Sequence, residues 1–309
     1  MPKQVPAQAT RVTARGWRRP LDADLRDAYL ARLGWSSPPE PSVRTLVDLH
    51  AAQVRLVPYE VVWIALGETR SIEPLNSLRY LVAGRGGYCY HLNGALAVLL
   101  DWLGFDVHLR VGGTQGHAEA TAPGATGTHM VVEVHGLPTD ANPQGRWLAD
   151  AGLGDGLREP LPLVEGLHAA PPFRFGLRPS PSVPGGWRFD HDPGGAFAGM
   201  DFAPGEASIA DFAEQHRRLS TTPTSGFVRT VTVARRDGDT IHELRGLAVQ
   251  NISPSGEDCV YLTTRADYFA ALADVFLLPL SDVERPRLSA LWNRLREDHE
   301  RYLLAQAAQ

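Results

Sequence analysis

Apolar residues first recur at helical spacing. In DADLRDAYLARL, residues 22–33, Leu25, Tyr29, Leu30 and Leu33 fall on one face and Gly34 stops the run, which predicts an amphipathic helix. SVRTLVDLHAAQVRLVP repeats the pattern with Leu46, Leu49, Val54 and Leu56 until Pro58 breaks it, predicting a second helix after the SSPPEP turn. The run CYHLNGALAVLLDWLGF follows a glycine-rich turn and is apolar almost all round. It predicts a buried helix that starts near Cys89 and closes at Gly104.

Beyond Gly104 the period changes to two. DVHLRVGG, THMVVEVHG, RWLADAGLG and WRFDHD are rich in β-branched and aromatic residues and are separated by Gly, Pro and Asn turns, so a mostly antiparallel sheet or barrel is expected. Pro and Gly crowd residues 160–195, which predicts loops between short strands. From Asp211, a helix (DFAEQHRRL) precedes strands in GFVRTVTVARR and TIHELRG, the pattern of a third, smaller α/β unit. The tail, ADYFAALADVF and RPRLSALWNRLREDHERYLLAQ, reads as helical. No internal repeat is visible.

The chain has 309 residues, with 43% hydrophobic and 21% charged, which excludes disorder and fibrous repeats and allows several structural layers. The net charge is −5 and the bases are scattered in short pairs such as Arg18–Arg19, Arg217–Arg218 and Arg235–Arg236, so nucleic acid is not an expected partner. No apolar run approaches the roughly 20 residues that cross a bilayer, and Met1 to Arg19 is polar with no apolar h-region, so a cytoplasmic protein with no membrane partner is expected. There are two cysteines, Cys89 and Cys259, neither in a CxxC pair. That excludes a disulfide framework and a thiolate zinc site, and no metal is expected.

GRGGYC, Gly84 to Cys89, runs straight into a helix. Adjacent glycines let the backbone turn or pack closely, and the N–H groups of a helix start favour a thiolate, so the block suits a nucleophile. The same letters also fit a plain turn followed by a small core cysteine. Cysteine catalysis further needs a base and a group that orients it. His129 opens THMVVEV and Asp150 ends WLAD ahead of a tight turn, at the ends of consecutive β elements that a hairpin brings together.

GRGGYCYHLN, THMVVEV and WLADAGLG resemble, in order, the three catalytic blocks of the arylamine N-acetyltransferase family. RLVPYEVV is similar to its Pro-Phe-Glu-Asn stretch, YLARLGW to its opening helix, and STTPTSGFVR (Ser220 to Arg229) to its Ser-Thr-x-Pro-x-Ser-x-Phe block. The matches run from about Asp22 past Arg229. The resemblance implies an α+β fold related to papain and transglutaminases: a helical bundle carrying the cysteine over residues 1–105, an antiparallel β-barrel carrying the His and Asp over 106–205, and an α/β lid over 206–309.

It also implies ping-pong chemistry. Cys89 attacks the thioester of acetyl-CoA, His129 takes or holds its proton, and Asp150 orients His129. An arylamine or hydrazine nitrogen then attacks the acetyl-cysteine. Arylamines are poor bases and stay unprotonated near neutral pH, so the activated acyl group matters more than deprotonating the acceptor. By the same resemblance, Thr126, Gly127, Thr224 and Gly226 lie near the coenzyme, where small residues and backbone N–H groups accept phosphates; plain loop chemistry explains them equally. Tyr59, in place of the family's Phe, is expected by the same resemblance to line the acceptor pocket, although a buried aromatic near a helix end fits the core equally.

The chain departs from the family pattern at His91, where Glu is usual two residues after the cysteine, and at Val61 and Val62 after Tyr59-Glu60. His91 is expected to cap the helix and face solvent. Cys259, in SGEDCVYL, reads as an inert strand residue. The same triad would serve an amide synthase closing a macrolactam from a carrier-bound thioester, or a transglutaminase-like cysteine hydrolase; a binding protein with a relict triad is the remaining class.

Overall fold

The computed structural model describes residues 17–20 and 22–307. Most of the polar N-terminal stretch read above lies outside the described residues.

Helices lead. α1 (Ala23–Arg32) starts where Asp22 accepts the N–H of Asp24 at 2.8 Å and ends before Gly34, whose φ of +86° suits only glycine. α2 (Val43–Leu56) is capped by Ser42, and Pro58 stops it one residue past its C-cap Val57. Next come β1 (Tyr59–Glu60), the short α3 (Val62–Ala65), α4 (Pro74–Val82) and α5 (Cys89–Trp102). α5 is buried from Cys89 through Leu100, as its all-round apolar sequence requires, and Gly104 closes it at φ +95°.

The second layer is sheet: β2 (Asp106–Gln115), β3 (His129–His135), β4 (Trp147–Leu148), β5 (Leu161–Pro162), β6 (Gly166–Ala170), β7 (Phe173–Pro179), β8 (Trp187–Asp190) and β9 (Gly199–Phe202). They pair in the order β5-β4-β3-β2-β9-β8-β7-β6, each pair antiparallel, a near-closed barrel in which β5 and β6 are not paired with each other. β3 is buried on both faces. Met130, Val132 and Val134 pack against the helices, while Val131 points to the barrel interior with Phe175, Phe189 and Phe202, the period-two division of a strand between two cores.

The remainder comprises α6 (Ala210–Thr221), α7 (Gly226–Arg229), β10 (Thr232–Asp237), β11 (Thr240–Arg245), β12 (Ala248–Ser253), β13 (Gly256–Tyr261), α8 (Arg265–Asp274) and α9 (Arg285–Ala307). The strands form an antiparallel meander whose outer edge is completed by β1, with Tyr59 opposite Ala234 and Glu60 opposite Val233. The α+β class of helices, antiparallel barrel and mixed last segment is the one expected. Two details differ. Gly226–Arg229 forms a helical turn because Ser225 caps it by accepting the Phe227 N–H at 3.3 Å, so the strand of that segment begins only at Thr232. And Tyr59–Glu60 is a strand, drawn into a sheet whose other members lie more than 170 residues away in sequence.

Candidate functional site

Cys89 is the first residue of α5, which puts it at the positive end of the helix dipole. The glycines before it are there for contact. A Cβ on Gly86 would lie 2.1 Å from the Pro58 carbonyl oxygen, and one on Gly87 2.5 Å from the Cβ of His91. With both bare, Glu60 N donates to Gly87 O at 2.9 Å and ties the loop to β1.

Charges that local periodicity does not reveal hold this loop. Arg70 donates to Glu60 at 3.0 Å, to Glu68 at 3.0 Å and to the carbonyl of Gly86 at 3.1 Å. Arg85 forks between both oxygens of Asp282, at 3.1 and 2.9 Å, and both of Glu68, at 3.1 and 3.2 Å. Arg70 and Arg85 are buried, and each is matched by carboxylates, which is the condition for burying a charge without a large penalty.

His129 opens β3, and antiparallel pairing of Glu133 with Leu148 brings Asp150 beside it just past the end of β4. Asp150 Oδ2 lies 2.7 Å from His129 Nε2, which leaves Nδ1 for the sulfur. The other carboxylate oxygen accepts from Asn93 Nδ2 at 2.6 Å and from Gly152 N at 3.0 Å. Asn93, one turn along α5 from Cys89, also donates to Met130 O at 2.6 Å and accepts Ala151 N at 2.9 Å. It therefore clamps helix, β3 and the Asp150 loop together. Sequence reasoning assigned Asn93 no role, although its i+4 spacing from Cys89 puts it on the same helix face. Gly152 is the matching element: a Cβ there would be 2.8 Å from Cys89 Cα.

Burial disfavours a charged imidazole, but the Asp150 carboxylate and then the Cys89 sulfur, by attraction and by hydrogen bonding, outweigh it and lift His129 to about 10. The Cys89 sulfur also has the carbonyl of Thr128 at 3.9 Å. The site can thus hold a proton on His129 beside a cysteine sulfur, with a buried carboxylate behind.

Cys89 and His129 open into a cavity of about 370 Å³ between barrel and last sheet, with Tyr59, Phe197 and Phe227 among its walls. Of the small residues singled out above, Gly226 lines it. Thr126, Gly127 and Thr224 lie outside its lining: Gly127 donates its N–H to Gly112 O at 2.9 Å and accepts the Tyr90 hydroxyl at 2.6 Å, while Thr224 is exposed in the turn before α7. His91 does not face solvent. It is fully buried against Trp63, Tyr80 and Tyr88, and burial first, then Arg70 and His216, hold it well below the ordinary imidazole range, so it is a neutral packing residue. α5 has no exposed face at that position for a polar side chain to reach. Cys259 is an exposed residue of β13, remote in sequence from these elements.

A family model described as N-acetyltransferase matches residues 42–284. The arylamine N-acetyltransferase of Mycolicibacterium smegmatis is 29% identical over 269 residues, covering 82% of this chain and 92% of that one. Among solved structures, the arylamine N-acetyltransferase of Mycobacterium marinum superposes with a TM-score of 0.77 at 26% identity, covering 87% of this chain and 99% of that one. The same enzyme in complex with CoA superposes with a TM-score of 0.75 over 87% of this chain and 98% of that one. With motif order, fold and most of the length in agreement, this chain belongs to the arylamine N-acetyltransferase family.

Proposed function

We propose that this chain carries an acetyl group from acetyl-CoA through Cys89 to the nitrogen of an arylamine or hydrazine. The observation that carries the reading is the 2.7 Å contact between Asp150 and His129, on an imidazole raised to about 10 beside Cys89 at a helix start. In the first half-reaction the Cys89 thiolate attacks the thioester carbonyl. The bond from that carbon to the coenzyme sulfur breaks, and His129 gives its proton to the departing sulfur. In the second, the amine nitrogen attacks the acetyl-cysteine and His129 takes the nitrogen's proton. The carbon–sulfur bond to Cys89 then breaks, leaving an amide and the starting ion pair. Asp150, 2.7 Å from Nε2, fixes which imidazole nitrogen faces the sulfur.

Acetyl-CoA as donor is supported by the CoA complex of the M. marinum relative. A cavity of about 370 Å³ is at the small end of ligand sites, which suits a pantetheine arm and an arylamine entering in turn rather than together. Initial-rate kinetics test the reading: ping-pong transfer gives parallel double-reciprocal lines when acetyl-CoA and an arylamine are varied. Intersecting lines would refute the acetyl-cysteine route. Turnover with a carrier-protein thioester and none with acetyl-CoA would assign the donor to a carrier instead.

A further inference from the structure

The end of β3 away from His129 carries a second set of polar donors. His129, Val131, Glu133 and His135 alternate onto one face of that strand, and the antiparallel register sets Asp106 of β2 opposite His135 and His108 opposite Glu133. Asp106, His108 and His135 therefore share a face, about 20 Å along the strand from His129. One ligand atom from each of the three lies within 4.8 Å of the others. None of them is a cysteine, so the exclusion of a thiolate zinc site does not touch this cluster.

Each imidazole is held from behind by a carboxylate. His108 Nδ1 is 2.8 Å from Glu206 Oε2, and its Nε2 faces Asp106 Oδ1 at 3.3 Å. His135 Nε2 is 2.8 Å from Glu133 Oε2, while its Nδ1 makes no hydrogen bond among the described residues, on a side chain that is 23% exposed. Glu133 is fully buried and is itself fixed by Arg110 at 3.2 Å and Arg146 at 3.0 Å; Arg110 also reaches Glu206 at 3.4 Å. An imidazole whose second nitrogen is oriented by a carboxylate is the usual arrangement around a metal ligand, because the carboxylate fixes the tautomer and raises the basicity of the nitrogen that binds. Here two such rings lie side by side, with centroids 4.0 Å apart and planes at 28°.

We infer that Asp106, His108 and His135 bind one divalent transition-metal ion of the zinc class, at the end of the β2–β3 pair remote from Cys89. Imidazole with carboxylate selects zinc, nickel or copper over magnesium and calcium, which prefer oxygen donors alone. Three protein donors leave a fourth tetrahedral position for water. Bonds of about 2.0–2.1 Å set donor atoms about 3.3 Å apart, so binding draws the three together and turns one ring out of the stack. The partly exposed His135 can make that turn about its own side-chain bonds. The ion ties β2 to β3 and stabilises the chain without touching the acyl-transfer residues, so the inference stands apart from the acetyl-transfer reading.

Zinc chloride is titrated by calorimetry into the full chain and into Cys89→Ala, which removes the sulfur and imidazole pair that could also hold zinc. A zinc ion is expected to bind this site in both, with no heat from magnesium chloride. His108→Gln and His135→Gln are expected to weaken it at least about tenfold, and Glu206→Gln, which leaves all three ligands in place, by about tenfold. Zinc should raise the melting temperature of Cys89→Ala and leave that of Cys89→Ala with His135→Gln where it was. Acetyl transfer by metal-free His135→Gln is expected to match wild type, which separates loss of the site from misfolding. The two histidine variants decide the question should Glu206→Gln fail to fold, because Glu206 also accepts from Trp17. Zinc affinity unchanged in both histidine variants, binding that vanishes in Cys89→Ala, or equal heats from zinc and magnesium would each overturn the inference.

Discussion

Replacing Asp150 by Asn isolates the electrostatic part of the site, because the side chains have the same shape. Asn93 Nδ2 and Gly152 N both donate to one oxygen of Asp150, so the amide oxygen of the variant must occupy that position and its NH2 must face His129. His129 Nε2, 2.7 Å away, is then obliged to accept, and the proton moves to Nδ1, facing the sulfur. An imidazole in that state cannot take a proton from cysteine or amine. The energetic side agrees: a rise from the ordinary 6.5 to about 10 represents on the order of 5 kcal/mol in favour of the imidazolium, with Asp150 the largest favourable contributor. Loss of most of it should slow acetylation of Cys89 by roughly a thousandfold or more. The assay is single-turnover acetyl-enzyme formation, with iodoacetamide alkylation of Cys89 as a second reading that needs no coenzyme. A rate within tenfold of wild type would show that the Asp150 charge does not drive the chemistry.

Four further outcomes follow from the same geometry. The raised value of His129 contributes stability that is fully present below pH 6.5 and is lost as pH climbs through about 10; chemical denaturation over that window should show a steeper decline for wild type than for Asp150→Asn, and identical slopes would contradict the shift. Asn93→Ala strips donors from Asp150 and Met130 and an acceptor from Ala151, all buried, and should cost about 1–3 kcal/mol for the groups left unmatched, read by urea unfolding. Gly152→Ala places a methyl 2.8 Å from Cys89 Cα and should lower stability by about 1–3 kcal/mol together with acetylation rate; a wild-type melting curve would show that the loop yields freely. Cys259→Ser, on an exposed strand outside the cavity lining, should leave turnover within twofold, and a large loss would place the reactive thiol elsewhere.

The cysteine block was legible because its requirements are local: two glycines and a helix start can be read within six residues, and the structure explains each glycine by a contact. The meeting of His129 and Asp150 was legible one level up, since a hairpin fixes which strand ends are neighbours. What pairs across the whole chain was not. β1 joins a sheet made of residues 232–261, and Arg85 finds Asp282 nearly 200 residues away, and neither leaves a periodic trace. His91 shows a different failure. The apolar character of α5 on every side already implied burial, yet the imidazole was assigned to solvent on the preference of its residue type, and the helix's environment overrode that preference. Asp155 and Glu243, both lining the Cys89 cavity, were equally hidden, since one belongs to a loop after β4 and the other to β11 and only the fold brings them together.

In acetyl transfer by the proposed route, the Cys89 sulfur is the atom that receives the acyl group. Intact-mass and peptide mass spectrometry after incubation with acetyl-CoA alone tests it directly. One acetyl group per chain, mapped to Cys89 and discharged when an arylamine is added, is the predicted result. No adduct, or an adduct that persists in Cys89→Ala, would contradict it.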